Sequence, residues 1–409
     1  MPPILLVPTG AFLRVFLRAF SLGQSTASIT EAVVWETGLV ALTSDHQFVC
    51  VLDFVEAKPM RLARVEDMDS PPSCWTVVPT SGAIDTVRVY MGYRHTVYML
   101  GLDEVEPVHM PLLDSASNYA IMCVTHDGML LACVDEDSNF TVTSVEASRI
   151  LTQTKLAMDY SSAPPPPPRQ MVWCGMDCVV MTWDQAGVVM GVGPFSGTLT
   201  YTFDHQCVLV GEVDGVRIIG TDSHDFLERV PQCVENTFKF GSTEPPALLL
   251  DASRLYDDGN ARCDELLRSI KGNALDDAVR QLLQVAGYEW DSVAQKDIMR
   301  AASFGRAFFT DNGTTHESND LNKGTQTTTD PGQDFSVLFE DICMNVRVLN
   351  CIRRHTVGIP LTLSQLTALT PQRLLLRMSQ LGYHALAYRV CTYLRIDVSE
   401  VLVHWACEK

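Results

Sequence analysis

The sequence predicts a β-propeller running into the start of an α-solenoid. Short runs of β-branched and aromatic residues, separated by Gly, Asp, Ser and Pro, recur as hairpins from about Phe12 to Phe240. The hairpins fall roughly one propeller blade apart, at the ~40–45 residues of such repeats, which favours a propeller over a single sandwich. After Phe240 the apolar residues recur every three or four positions, the period of helices that bury one face.

The N-terminal stretch MPPILLVPTGAFLRVFLRAFSLG opens the strand region. Pro8, Gly10, Arg14 and Arg18 interrupt each apolar run short of targeting or membrane-spanning length, so it reads as a strand pair. Hairpins follow. Leu39 to Thr43 pairs with Phe48 to Leu52, Thr86 to Met91 with Thr96 to Leu100, and Ile121 to Val124 with Met129 to Val134. Cys178 to Trp183 then pairs with Gly187 to Gly191, and Gln206 to Val210 with Gly215 to Ile219. The Pro164 to Pro168 run is too stiff for a strand and reads as a polyproline II loop between blades; an SH3-type ligand is the alternative.

In the second half, Asn273 is placed as N-cap of a helix whose face is Leu275, Ala278, Val279, Leu282, Leu283 and Ala286, with Gly287 ending it. Thr362 and Gln365 have capping-box spacing, and Thr370-Pro371 sets a cap before a first-turn proline. Residues 310–334 are too polar to bury anything and read as a disordered insertion. The division expected is residues 1–243 for a partial propeller of about five or six blades, poorly closed and with an exposed strand edge. Residues 244–409 then form the first helical hairpins of the solenoid.

Composition narrows the function. Thirty Lys and Arg against 49 Asp and Glu give a formal charge of −19, and no basic block exists to follow a phosphate backbone, so nucleic acid is excluded as a partner. The same acidity makes any membrane contact indirect. The 13 cysteines are scattered singly and read as reduced, mostly buried thiols; Cys174 and Cys178 lack the second pair a zinc site needs. No P-loop, dinucleotide fingerprint, nucleophile elbow or metal-binding helix motif occurs, so the reading assigns no catalytic, cofactor-binding or metal residue and no enzyme activity.

Four places carry chemistry-bearing side chains. Asp135, Glu136 and Asp137 offer carboxylates for calcium but lack the spacing of a calcium loop and read as a solvated turn. Asp276 and Asp277 read as first-turn acids favoured by the helix dipole. Arg353, Arg354 and His355 read as positive charge at a helix C-terminus, with a phosphoinositide contact as the alternative. On the last helical pattern, where His404 also lies, Leu402, Trp405 and Ala406 are expected to face a neighbouring hairpin, with Trp405 in the core.

Several segments, taken together in order and spacing, resemble the vacuolar protein sorting-associated protein 16 family. In the helical half they are Arg300 to Gly305, Arg347 to Asn350, Gly358 to Thr362 and His404 to Cys407. In the strand half they are Pro72 to Val77, Gln170 to Cys174 and Asp214 to Ile218. The resemblance implies a propeller-solenoid, non-catalytic scaffold shared by the HOPS and CORVET tethers, working with other class C subunits. It implies a cytoplasmic protein, peripheral on late endosome, lysosome or vacuole membranes, that serves protein transport and vesicle fusion. It also implies that the chain starts inside the family's propeller and stops before the solenoid region that docks an SM-type SNARE chaperone. The partner-binding residues are not assigned. The rival readings are another trafficking scaffold of this architecture, a vesicle-coat or nuclear-pore subunit, and an enzyme built on the propeller.

Overall fold

A computed structural model describes residues 7–9, 12–15, 18–21, 27–35, 38–52, 58–66, 68–78, 87–108, 117–145, 149–157, 165–184, 187–193, 197–308, 331–354 and 356–408. Of these, 7–9, 12–15, 18–21, 272–273 and 331–334 are described by backbone alone. The chain divides into two compact units, Met1–Arg229 and Val230–Lys409.

In the first unit every sheet is an antiparallel meander. A three-stranded sheet, β1 (Val7–Thr9), β2 (Phe12–Val15) and β3 (Arg18–Ser21), comes first. Five propeller blades follow. The first is β4 (Ile29–Val34), β5 (Leu39–Thr43), β6 (Phe48–Val51) and β7 (Met60–Arg61), and the second is β8 (Cys74–Val78), β9 (Arg88–Tyr93), β10 (Thr96–Leu100) and β11 (Val105–Val108). The third is β12 (Tyr119–Val124), β13 (Leu130–Asp135), β14 (Asn139–Ser144) and β15 (Arg149–Lys155). The fourth is β16 (Gln170–Cys174), β17 (Cys178–Thr182), β18 (Val188–Val192) and β19 (Thr198–Thr202). The fifth is β20 (Val208–Gly211), β21 (Gly215–Ile219) and β22 (His224–Glu228). The five hairpins read from the sequence are β5–β6, β9–β10, β12–β13, β17–β18 and β20–β21.

Stacked blades bury both faces of their middle strands, and the period-two alternation of a strand decides which neighbour each residue meets. On β9, Val89, Met91 and Tyr93 pack toward the first blade with Val40, Leu42 and Cys50, whereas Tyr90 packs toward the third with Met122, Leu131 and Cys133. On β13, Leu131 and Cys133 face the second blade, while Ala132 and Val134 face Trp173, Met181 and Met190 of the fourth. On β17 and β18, Val180 and Val189 turn to Leu209, Val216 and Ile218 of the fifth. Among the described residues, four interblade cores therefore hold the five blades together.

Polar links cross the same seams. Trp75 Nε1 donates to Glu31 at 2.6 Å, Cys74 Sγ to the Tyr119 carbonyl at 3.5 Å, and Trp173 Nε1 to the Cys123 carbonyl at 3.2 Å. Gln170 accepts from the Leu209 amide at 2.9 Å. Pro164 lies outside the described residues, and Pro165 to Pro168 are tied down rather than free. Pro165 and Pro168 are buried, the Pro165 carbonyl accepts from Ser138, and the Pro166 carbonyl accepts from Trp183 Nε1 at 2.7 Å. Lacking amide hydrogens, Pro165 and Pro166 still offer carbonyls to two buried donors, which straps the stretch ahead of β16 to Ser138 of the third blade and Trp183 of the fourth.

The second unit begins with α1 (Gln232–Phe238), ahead of the 243/244 boundary read from the sequence. A seven-residue helix burying only Cys233 and Thr237 is too short to show a periodic face. Then come α2 (Pro245–Asp257), α3 (Arg262–Ser269), α4 (Gly272–Tyr288), α5 (Ser292–Arg306), α6 (Pro331–Arg353), α7 (Leu363–Leu369), α8 (Pro371–Gln380), α9 (His384–Leu394) and α10 (Ser399–Glu408). The apolar face expected on α4 is buried throughout, in a core shared with α2, α5 and the front of α6. A second core joins the back of α6, through Val348, Leu349 and Ile352, to α7, α8, α9 and α10.

Several boundaries differ from the sequence reading. Lys271 is the N-cap of α4, so Asn273 stands inside the helix. Asp276 and Asp277 lie beyond the first turn and pair one turn onward, with Arg280 at 3.0 Å and Gln281 at 2.8 Å. Gly287 does not end α4; its backbone lies so close to Leu363 that a Cβ would overlap that side chain. Residues 310–330 of the expected insertion lie outside the described residues, but Pro331–Asp334 are the first turn of α6, where a proline suits the first helical position. Among the described residues, no helix is long and apolar enough to cross a membrane.

Candidate functional site

The acidic cluster of the third blade is a folded turn. Asp135 is 4% exposed, and its carboxylate accepts from the Asp137 amide at 3.0 Å, the Asn139 amide at 2.8 Å, Asn139 Nδ2 at 2.8 Å and Ser117 Oγ at 3.2 Å. Those donors occupy the oxygens a cation would need, so the turn reading stands, with Asp135 buried rather than solvated. Cys174 and Cys178 face each other across β16 and β17 as free thiols. Burial pushes the Cys50 thiol up to about 11 and those of Cys74 and Cys174 to about 12, the direction of inert core sulfurs.

Arg353 stands in the last turn of α6, where its charge complements the helix dipole. Its side chain is spent locally as well: Nε donates to the Leu361 carbonyl at 2.9 Å, and the guanidinium lies 3.8 Å from the centroid of the Trp290 ring. That arrangement draws it away from the phosphoinositide alternative. Arg354 is exposed, and His355 lies outside the described residues.

The last helix departs from expectation. Leu402 and Val403 are 42% and 63% exposed and Ala406 is exposed, while Val401 carries the burial on α10. Trp405 is half-buried, stacked on the His384 ring at 5.9 Å and 14°. His384, first residue of α9 and 5% exposed, also lies 5.4 Å from the His404 ring and hydrogen-bonds Glu408. His404 and Glu408 are one turn apart on α10 and share a face. Nδ1 of His384 and Nδ1 of His404 are buried without a hydrogen-bond partner. Among the described residues this is the one group of three His, Cys, Asp or Glu side chains whose ligand atoms lie within 4.8 Å of one another. His384 carries no local sequence signal, because its partners come from a different helix.

One further surface is apolar. On the fifth blade Val208, Val210 and Ile219 are 40–46% exposed on the sheet face opposite Leu209, Val216 and Ile218. Val208 and Ile219 are directly cross-strand.

A model of the family described as Vps16, N-terminal region, matches residues 16–318, the blades together with the first helices. The chain belongs to the Vps16 family. It is 35% identical to Protein VACUOLELESS1 of Arabidopsis thaliana over 95% of this chain and 44% of that protein. It is 30% identical to the Vacuolar protein sorting-associated protein 16 homolog of Dictyostelium discoideum, over 95% and 44%, and 28% identical to a probable homolog of Schizosaccharomyces pombe, over 95% and 43%. The chain thus spans less than half the length of these relatives.

Five of the Vps16-like segments turn out to be structural devices. Trp75, Gln170 and Trp173 make the interblade hydrogen bonds already described. In Arg300 to Gly305, Ala301 and Ala302 are buried, and a Cβ on Gly305 would meet Leu249 and Val279 side chains at 2.7 Å each, which fixes how closely α5 approaches α2 and α4. In Arg347 to Asn350, Arg347 donates to Tyr393 at 3.0 Å and Asn350 Nδ2 to the buried Gln295 at 2.7 Å. Gly358 to Thr362 stops one helix and starts the next. Gly358, at φ +70°, donates to Arg354, Ile359 donates back to Ile352, and Thr362 forms a capping box with Gln365.

Proposed function

We propose that this chain is a non-catalytic scaffold subunit of an endolysosomal or vacuolar membrane-tethering complex of the HOPS or CORVET type. The observation that carries the reading is the Vps16 family match, which runs continuously from the blades into the first helices. Propeller and helical repeats present broad surfaces for other proteins rather than a reaction cavity. The side chains that looked chemically capable in the sequence support the same reading, since Asp135, Asp276, Asp277 and Arg353 are engaged in turns, helix pairs and a ring stack. The partners in this reading are the other class C tether subunits. Membrane contact runs through them, because the chain carries a formal charge of −19.

Fluorescent tagging at the native locus tests the assignment. Puncta coinciding with late endosome, lysosome or vacuole membranes are expected. A nuclear rim or coated-vesicle pattern would overturn it in favour of a pore or coat scaffold of the same architecture.

A further inference from the structure

We infer that His384, His404 and Glu408 form a zinc(II) site that clasps the start of α9 to the end of α10. The inference is independent of the tethering reading and rests on three observations. The donor set is two imidazoles and one carboxylate, the combination that binds zinc with a fourth position left open. The geometry is nearly closed. The ligand atoms lie within 4.8 Å of one another, and ligands of a tetrahedral zinc at ~2.0–2.1 Å stand about 3.3 Å apart, so small side-chain rotations bring them onto one ion.

The third observation is electrostatic. Nδ1 of His404 is buried without a hydrogen-bond partner, and a buried polar nitrogen left unpaired costs about 1–3 kcal/mol. His384 meets Glu408 through Nε2, so a cation between them takes the His384 lone pair at Nε2 and leaves Nδ1 as its protonated nitrogen. The same cation gives the His404 ring the partner it lacks and the carboxylate a full charge partner. The Trp405 ring stacks on the face of the His384 ring, and Glu408 is exposed, so solvent reaches the fourth position from the Glu408 side. Water, or a side chain of another protein, is the chemistry that position takes. Cys407 is exposed and outside the cluster, so the site is distinct from thiolate zinc chemistry.

The test is zinc(II) titration of the purified, metal-free chain by calorimetry, followed by thermal unfolding with and without zinc, in the wild type and in His404→Gln, Glu408→Gln and Cys407→Ser. One equivalent is expected to bind and raise the unfolding midpoint. His404→Gln and Glu408→Gln should each weaken binding at least about tenfold, and Cys407→Ser should leave it unchanged. Glu408 is exposed, so Glu408→Gln keeps the fold and the test stands even if His404→Gln does not. Cobalt(II) in place of zinc should show ligand-field bands without thiolate charge-transfer bands. No binding at about 100 μM zinc, unchanged affinity in Glu408→Gln, or thiolate bands with cobalt would overturn the site.

Discussion

Asp135 illustrates how much of one blade hangs on a single side chain. Its carboxylate accepts from four donors at 4% exposure, so Asp135→Ala removes the shared partner of the Asp137 and Asn139 amides and of the Asn139 and Ser117 side chains at once. A loss of about 1–2 kcal/mol is expected in urea denaturation, and calcium should leave the wild-type midpoint unmoved. The thiols set a second residue-scale expectation. Cys50, Cys74 and Cys174 hold their protons to about 11 or 12, whereas an unfolded thiol loses its proton near about 8.5. Above that pH the unfolded state binds fewer protons than the folded one, so stability falls as pH rises. The contribution is whole below about pH 8 and is lost progressively toward the folded values. Urea midpoints at increasing pH from about 8 to 10.5 should decline steadily. At neutral pH a thiol reagent should modify exposed Cys407 ahead of buried Cys123, Cys133 and Cys174.

At the scale of elements, the helix junctions follow local rules that the sequence carries openly. Thr362 and Gln365 were legible as a capping box because both halves of the motif are side chains at fixed spacing, and the structure forms both bonds. Thr362→Ala should cost about 1 kcal/mol, read from the unfolding midpoint. Gly305 and Gly287 were not legible as packing residues. A glycine beside a periodic face signals a helix end just as well as a close approach, and only the facing helix decides between them. Gly305→Val forces a side chain into Leu249 and Val279 and should destabilise by about 1–3 kcal/mol, with the helical unit affected first in hydrogen exchange. Asn273 misled for a related reason: its residue type is a strong cap, but the helix had already begun at Gly272.

At the scale of the molecule, the blades were readable because strands buried on both faces appear as unbroken apolar runs, as in β5 and β18. An outer strand such as β19, exposed along its whole length, has no such run and gives little to read. The switch to helical spacing was equally visible in α4, where six apolar positions line one face. What the sequence withheld were features assembled from distant segments: the Trp75 and Trp173 bonds between blades, the proline strap, and the His384 cluster between two helices. Each depends on pairs whose spacing is set by the fold. A chain that holds other class C subunits, as proposed, carries them with it when the tagged chain is affinity-purified quantitatively from its own cells. The other class C tether subunits are expected to be enriched together with the chain, and abundant chain recovered with none of them would refute the proposed scaffold role.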